Sequence, residues 1–117
     1  MDENNKLLAL HVKAGGVPEF PLYANRFPAG AIDNYLAESW QIEYNITVGA
    51  FRAPSSKFKA ASEQSFLDRL AEVMGKDPIA FRLELLKRAE TNQVGENNEQ
   101  DAKRYAGVLE QVREKSN

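Results

Sequence analysis

The stretch with the most chemical promise is residues 48–56, where small residues, Arg52 and Pro54 separate an apolar segment from a helical one. Small residues let backbone N–H groups come close to an anionic ligand, and the positive end of a following helix favours the same charge. Glycine and proline also serve ordinary turns, which is their more frequent use. The residues alone therefore leave two interpretations: a strand-to-helix turn, or one wall of an anion-binding site.

The other polar candidates carry weaker chemical signals. His11 lies inside an apolar segment with no acid or nucleophile close in sequence, and a general base needs such support. Gly15-Gly16 follows that segment and is typical of a turn rather than an anion-binding nest. Glu96 lies in a polar loop, where nothing desolvates or activates a carboxylate. We therefore assign these positions structural roles and predict no catalytic residue in the chain.

Composition argues against several classes of site. The chain has no cysteine and one histidine, which excludes disulfides, iron–sulfur ligation and thiolate nucleophiles within it and leaves zinc without its usual ligands. The 15 basic and 17 acidic side chains give a net charge of −2, which is too balanced for the basic surface that nucleic acid requires. No metal site and no nucleic-acid partner are therefore expected.

Targeting and membrane signals are not recognisable in the sequence. A spanning helix needs an apolar run of ~18 residues, which the chain lacks, and the N-terminus is acidic where a signal peptide is basic. We therefore expect a soluble chain with no membrane segment. No compartment is predicted.

The 117 residues have the size of one domain, and the two halves differ in composition. Residues 57–117 hold 22 of the 32 charged side chains, whereas residues 1–56 hold four of the five prolines. We therefore predict a single domain with a strand-and-loop part at residues 1–56 and a helical part at residues 57–117. The expected fold class is α+β, a small sheet of two or three strands with three helices packed on it.

The first part is expected to contain two strands. Residues 6–13 are mostly apolar and end before glycines, which is typical of a strand, whereas the prolines of residues 17–30 favour a long loop. Residues 31–37 are expected to form a turn or a short helix. Residues 40–48 alternate apolar and polar side chains, which predicts a half-buried strand. Its expected core face consists of Trp40, Ile42, Tyr44, Ile46 and Val48.

The first helix is predicted over residues 58–74, where apolar residues recur at helical spacing. Ser55 or Ser56 can accept hydrogen bonds from its first free N–H groups. Gly75 is expected to end it in a left-handed conformation.

Two further helices are predicted downstream. Asp77-Pro78 provides an N-cap followed by a proline at the first helical position, and the helix is expected to run to about Arg88. A polar loop should follow, in which Asn97 or Asn98 can cap a third helix. The predicted buried stripe of that helix is Tyr105, Val108, Leu109 and Val112.

Three linked segments resemble one stretch of the large subunits of molybdenum hydroxylases, the xanthine dehydrogenase and aldehyde oxidase family. They are residues 49–56 (GAFRAPSS), 63–71 (EQSFLDRLA) and 75–86 (GKDPIAFRLELL). The resemblance is clear over residues 48–88, extends less closely over residues 105–115, and is nearest to the isoquinoline 1-oxidoreductase β subunit. Three segments in the same order make the resemblance specific.

The resemblance implies that the loop before the first helix passes beside a molybdopterin-type molybdenum cofactor. By position, Ala50, Phe51 and Arg52 would contact the cofactor, mostly through main-chain amides, while Ala53 and Pro54 would edge the substrate pocket. Xanthine oxidases place glycine and then phenylalanine after this arginine. Because Ala53-Pro54 stands there in this chain, stacking of an aromatic substrate on the loop is not implied.

The family hydroxylates heterocycles or aldehydes with oxygen from water, uses a glutamate base beside the metal and passes electrons to iron–sulfur centres. That glutamate and most cofactor contacts lie outside the matched stretch. The resemblance therefore implies a fragment of an oxidoreductase that is inactive alone and retains no cofactor by itself. Its implied partners are the remainder of the parent subunit and the parent's iron–sulfur subunit or domain. The alternative is a free-standing, non-catalytic protein-interaction module.

Overall fold

Two strands precede three helices in the structure, a computed structural model. It describes residues 4, 6–16, 25–43, 45–47, 49, 52, 56–96 and 98–116, with the main chain alone for residues 56–59. The elements are β1 (Ala9–Gly16), β2 (Asn34–Gln41), α1 (Ser56–Val73), α2 (Pro78–Thr91) and α3 (Ala102–Lys115). The predicted α+β class, with a small sheet and three helices, is confirmed.

The two strands pair in parallel. The register runs from Ala9 opposite Asn34 to Gly16 opposite Gln41. Because parallel neighbours cannot be joined by a tight turn, residues 17–33 must carry the chain back to the start of β2. The inward positions of the sheet face the core, and the outward positions, such as His11 and Leu36, are exposed.

β2 corrects two predictions. It begins at Asn34, inside the stretch expected to form a turn or short helix, and it ends at Gln41, near the start of the strand predicted over residues 40–48. The described members of the expected core face are exposed, namely Trp40, Ile42 and Ile46, while Tyr44 and Val48 lie outside the described residues. Alternation produces a half-buried strand only where a second layer covers one face, and the described residues place no such layer here.

β1 continues through the two glycines that were expected to stop it. Gly15 lies opposite Trp40, and a Cβ atom on Gly15 would stand 2.2 Å from the indole ring. The missing side chain therefore makes room for the Trp40 ring over the outer face of the sheet.

The hydrophobic core is centred on α2, which packs against both α1 and α3. Phe81 and Leu86 of α2 are almost completely buried, and Ile32 reaches the same core from the segment before β2. Full burial of a large apolar side chain contributes about 1.5–3 kcal/mol. The buried cluster consists of Leu7, Leu10, Phe27, Ala31, Ile32, Leu67, Ala71, Met74, Phe81, Leu85, Leu86 and Ala89.

α1 and its end agree with the sequence pattern. The helix predicted over residues 58–74 is confirmed as Ser56–Val73, and Gly75 follows with a φ of 66°. Ser56 is the first helical residue rather than a cap, and Ser55 lies outside the described residues.

The start of α2 also agrees with the sequence. Asp77 Oδ1 accepts a hydrogen bond of 2.7 Å from the Ala80 N–H, and Pro78 takes the first helical position, where its missing N–H is not needed. The helix continues to Thr91, one turn beyond the predicted end.

α3 differs from its prediction in the residue that caps it and in the face that packs on the core. Asp101 caps the helix through a 2.9 Å hydrogen bond from the Arg104 N–H, whereas Asn98 bonds to the Val94 carbonyl and Asn97 lies outside the described residues. The helix meets the core through Ala102, Ala106 and Leu109, so the expected stripe is wrong except for Leu109, which is half-buried. Tyr105, Val108 and Val112 are exposed. Small alanines allow the closer approach to α2, which turns the larger residues outward.

Among the described residues, none of the helices combines the length and the apolar composition that crossing a membrane would require.

The cap of α2 predicts a measurable loss of stability. Replacing Asp77 by alanine leaves the Ala80 N–H without its acceptor, and we expect the free energy of unfolding to fall by about 1 kcal/mol. Asp77→Asn keeps an acceptor at the same place and is the matched control, expected to lose much less. Urea denaturation of both variants measures the difference. Equal losses in the two would show that the side-chain acceptor is not what stabilises the helix start.

Candidate functional site

The structure describes little of the loop that the sequence singles out. Ala50, Phe51, Ala53 and Pro54 lie outside the described residues, so their expected contacts stay predictions. Arg52 is described and its side chain is exposed. Gly49 nearby has open space where a side chain would stand. What the structure does show is how the helix that follows this loop is held.

A buried arginine holds α1 against α2. The Arg82 side chain is 7% exposed. Its Nε donates to Gln64 Oε1 at 2.8 Å and its Nη2 donates to the Gln64 carbonyl at 2.8 Å. Its Nη1 donates to the Pro78 carbonyl at 2.9 Å and lies 2.7 Å from Asp68 Oδ1. The guanidinium therefore finds acceptors on all three of its nitrogens, which a buried cation requires.

These contacts of Arg82 with Gln64, Asp68 and Pro78, here named the Arg82 clamp, involve two of the three segments singled out in the sequence analysis. Gln64 and Asp68 lie in the second matched segment and Arg82 in the third, so the structure joins the two segments through one side chain. Because α1 begins at Ser56, this contact fixes the helix that the candidate loop enters. The sequence showed the motif but gave no sign of which residues touch.

A second set of ion pairs joins the segment before β2 to the segment before β1 and to α2. Asp33 Oδ2 accepts a hydrogen bond of 3.1 Å from Lys6, and Asp33 Oδ1 pairs with Arg88. The hydrogen bond from Lys6 is the largest cause that holds the pKa of the Asp33 carboxyl below its ordinary value. Desolvation opposes it, and the charge of Arg88 lowers the pKa further. This carboxylate ties β1 and β2 to the helical part.

On the outer face of the sheet, His11 pairs with a carboxylate. His11 Nε2 is within hydrogen-bond distance of Glu38 Oε2, and Lys13 Nζ lies 3.4 Å from the same oxygen. The hydrogen bond from His11 lowers the pKa of Glu38, with Lys13 as the next cause. The sequence missed this pair because Glu38 becomes a neighbour of His11 only through the parallel register. All three groups are exposed, so the cluster does not have the shielded setting in which a general base is activated.

A half-open cleft of about 600 Å³ lies between α1 and α3 and is here named the α1–α3 cleft. Its wall includes the stacked rings of Phe27 and Tyr105, whose centroids are 5.6 Å apart at an interplanar angle of 25°. Acidic and basic side chains both line the cleft, among them Glu63, Glu99 and Arg104. Burial, followed by the negative charge of Glu63, raises the pKa of the half-buried Tyr35. Nothing in the sequence indicated the cleft, because its residues come from three separated segments, at residues 26–27, 60–64 and 99–108.

No group of three or more histidine, aspartate or glutamate side chains within the described part of the chain is arranged to hold a metal ion. Comparison of the chain with protein-family models, with curated proteins and with solved structures found no match. The relation to molybdenum hydroxylases therefore stays a prediction.

The Arg82 clamp predicts a large effect of a single substitution. Arg82→Met keeps much of the apolar stem and removes every hydrogen bond, so we expect the free energy of unfolding to fall by about 2–3 kcal/mol. Arg69→Met on α1 is the control, because the Arg69 side chain is 71% exposed and pairs with Glu72 at the surface; its loss should stay within about 0.5 kcal/mol. Urea denaturation measures both. Equal stability of the two variants would contradict the clamp.

The two cations beside Asp33 predict a loss of stability in acid. The pKa of Asp33 is lowered from its ordinary value of 3.8, so its contribution is complete above that pH and disappears as the pH falls through the lower folded value. Asp33→Asn removes the contribution, and we expect its free energy of unfolding to change less than that of the wild type as the pH falls below about 4. Glu110→Gln, at an exposed position of α3, is the control and should follow the wild type. Parallel pH profiles for Asp33→Asn and wild type would overturn the assignment.

Proposed function

We propose that this chain is a segment of the molybdenum-cofactor subunit of an isoquinoline 1-oxidoreductase-like hydroxylase. In this role the loop before α1 helps to cradle a molybdopterin-type cofactor and edges the substrate pocket. The observation that carries the proposal is the ordered resemblance over residues 48–88, whose second and third segments meet in the Arg82 clamp. The chain would not be catalytic alone, because the glutamate base of the family lies outside the matched stretch.

The geometry around the loop is compatible with such a role. Gly49 leaves open space beside the main chain, Arg52 is exposed, and α1 begins at Ser56 with the positive end of its dipole toward the loop. The main-chain amides of Ala50, Phe51 and Arg52 would donate hydrogen bonds to the anionic cofactor. The cofactor, when bound, supplies the redox chemistry that the family uses for hydroxylation. The chain's own part is binding, orientation and shaping of the pocket edge.

The exposed sheet gives independent support for a segment of a larger protein. Parallel sheets are normally covered on both faces. Here the outer face of the two-stranded sheet carries Leu36 and Trp40, each about half exposed. Additional chain from the remainder of the parent subunit would cover such a face. The expected partners are therefore that remainder and the iron–sulfur subunit or domain to which the family passes electrons.

A second candidate function is a free-standing, non-catalytic interaction module. The exposed stripe Tyr105, Val108 and Val112 on α3 favours it, because apolar residues at helical spacing on a surface can dock a partner. This reading requires no cofactor and assigns no role to the main chain of the loop before α1. A substitution in that loop therefore separates the two proposals.

Molybdenum content is the direct test. The chain, tagged and purified from its native cells with whatever it assembles into, should carry molybdenum in a fixed ratio to the chain, measured by inductively coupled plasma mass spectrometry. Arg52→Pro removes a main-chain N–H of the loop and is expected to lower that ratio at least fivefold. Arg52→Ala keeps the N–H and is the matched control, expected to retain most of the metal. The circular dichroism of both variants should match the wild type, since the position precedes α1.

Absence of molybdenum from the wild-type assembly would contradict the proposal and favour the interaction module. Equal molybdenum in Arg52→Pro and Arg52→Ala would leave the family assignment standing and would exclude the main-chain role of the loop.

A further inference from the structure

The exposed residues Tyr105, Val108 and Val112, here named the α3 stripe, form one side of the α1–α3 cleft. Tyr105 and Val108 line the cleft, and Val112 continues the row one turn further along the helix. Steps of three and four residues give the spacing by which one helix packs on another. All three side chains are about half exposed, so an occupant would remove apolar surface from water.

The cleft is a groove between two helices that lie apart. α1 and α3 both pack on α2, and in the described part of the chain no Cα atom of α1 comes within 8 Å of α3. Ala60 and Gln64 form the α1 wall, and the Tyr105 ring stacks on Phe27 at the α3 wall. Such a groove accommodates another helix laid alongside α1 and α3. The flat surface of a bilayer does not fit it.

The charged residues of α3 differ between the two sides of the helix. By the helical repeat, Arg104 and Lys115 lie on one flank of the α3 stripe, and both are exposed. Neither cation has an ion-pair partner within the described residues. Glu110 and Glu114 lie on the opposite side of the helix. The flank of the stripe is therefore positive, and the acids of α3 do not neutralise it.

The other charged residues that line the cleft do not change this pattern. Glu63 and Arg26 have interactions of their own, and Asp101 caps α3. Glu99 belongs to the segment before the helix. Along the stripe itself, α3 therefore offers only Arg104 and Lys115 to an occupant.

We infer that the α1–α3 cleft and the α3 stripe bind an amphipathic α-helix whose apolar row is bordered by carboxylates. The apolar row packs on the stripe, and the carboxylates pair with Arg104 and Lys115. These two cations are eleven residues apart, which is about 16 Å along a helix. Carboxylates about three turns apart on the partner helix would meet both of them.

A second copy of this chain does not provide those carboxylates. Two α3 helices related by a two-fold axis would run antiparallel with the same flank in contact, so Arg104 of each copy would lie near Lys115 of the other. Like charges repel in that position, and Glu110 and Glu114 would face away from the contact. The partner is therefore a different polypeptide segment.

This partner belongs to the surface on which the interaction-module proposal rests, and it requires no cofactor. A chain that carries molybdenum but does not bind an acidic helix would contradict only the helix inference. A chain that binds the helix but carries no molybdenum would contradict only the cofactor proposal. The two failures are therefore distinguishable.

Titration of the whole ¹⁵N-labelled chain with two designed peptides, followed by amide NMR spectra, tests the inference. Both peptides are capped, alanine-based helices of about 18 residues with one leucine row, and they differ only in carrying glutamate or lysine beside that row. At low salt we expect saturable shifts at Tyr105, Val108 and Val112 with the glutamate peptide. The lysine peptide should bind at least tenfold more weakly.

Reversing the charge of the flank sharpens the test. Arg104→Glu combined with Lys115→Glu should invert the preference, so that the lysine peptide binds more tightly than the glutamate peptide. Lys103→Glu combined with Arg113→Glu is the matched control, because it changes the net charge equally at exposed positions of α3 away from that flank. The control should keep the preference of the wild type.

Several results would overturn the inference. They are the absence of saturable shifts at the α3 stripe with either peptide, equal affinity for the two peptides, and an unchanged preference in the variant with the reversed flank. Shifts of the stripe amides with protein concentration alone would identify a second copy as the occupant instead. Binding to phosphatidylserine vesicles, without binding to either peptide, would identify a membrane surface instead.

Discussion

The helical part depends on the hydrogen bonds and the ion pair of the buried Arg82 guanidinium. A cation taken out of water is tolerated only when hydrogen bonds replace its hydration, and here the replacements come from Gln64, Asp68 and Pro78. Apolar contacts between helices permit some sliding, whereas these bonds have direction. α1 cannot rotate about its axis without leaving a buried charge unpaired. The orientation of α1, and of the main chain that enters it at Ser56, is therefore set by α2.

Local sequence signals predicted the helix ends that depend on neighbouring residues alone. Gly75 ends α1 and Asp77 caps α2 because a positive φ and a side-chain acceptor need only neighbouring residues. Predictions that depended on what covers a face were wrong. The alternation of residues 40–48 and the apolar positions of α3 both indicated burial, yet burial also needs a second layer, and Ala102 and Ala106 turn the other side of α3 toward α2.

The candidate sites differ in the same way: one could be found from neighbouring residues, and others depend on tertiary contacts. The loop before α1 was found from residues adjacent in sequence and from a predicted family resemblance, and its role stays a proposal. The pairing of His11 with Glu38 and the stacking of Phe27 on Tyr105 depend on tertiary contacts. The first needs the parallel register of β1 and β2, and the second needs α3 packed on α2. Composition and spacing carry no information about either contact.

The two parts of the fold should differ in how far they depend on a larger assembly. The helices are joined by a shared apolar core and by the Arg82 clamp, which are internal to the chain. The two strands pair only with each other among the described residues, and exposed ion pairs such as Lys13 with Glu38 contribute about 0–1 kcal/mol. Asp33 ties the strands to α2, but Leu36 and Trp40 on the outer face of the sheet stay exposed. The outer face of the sheet therefore leaves apolar surface uncovered, whereas its inner face and the helices share one core, to which Leu10 and Ile32 contribute.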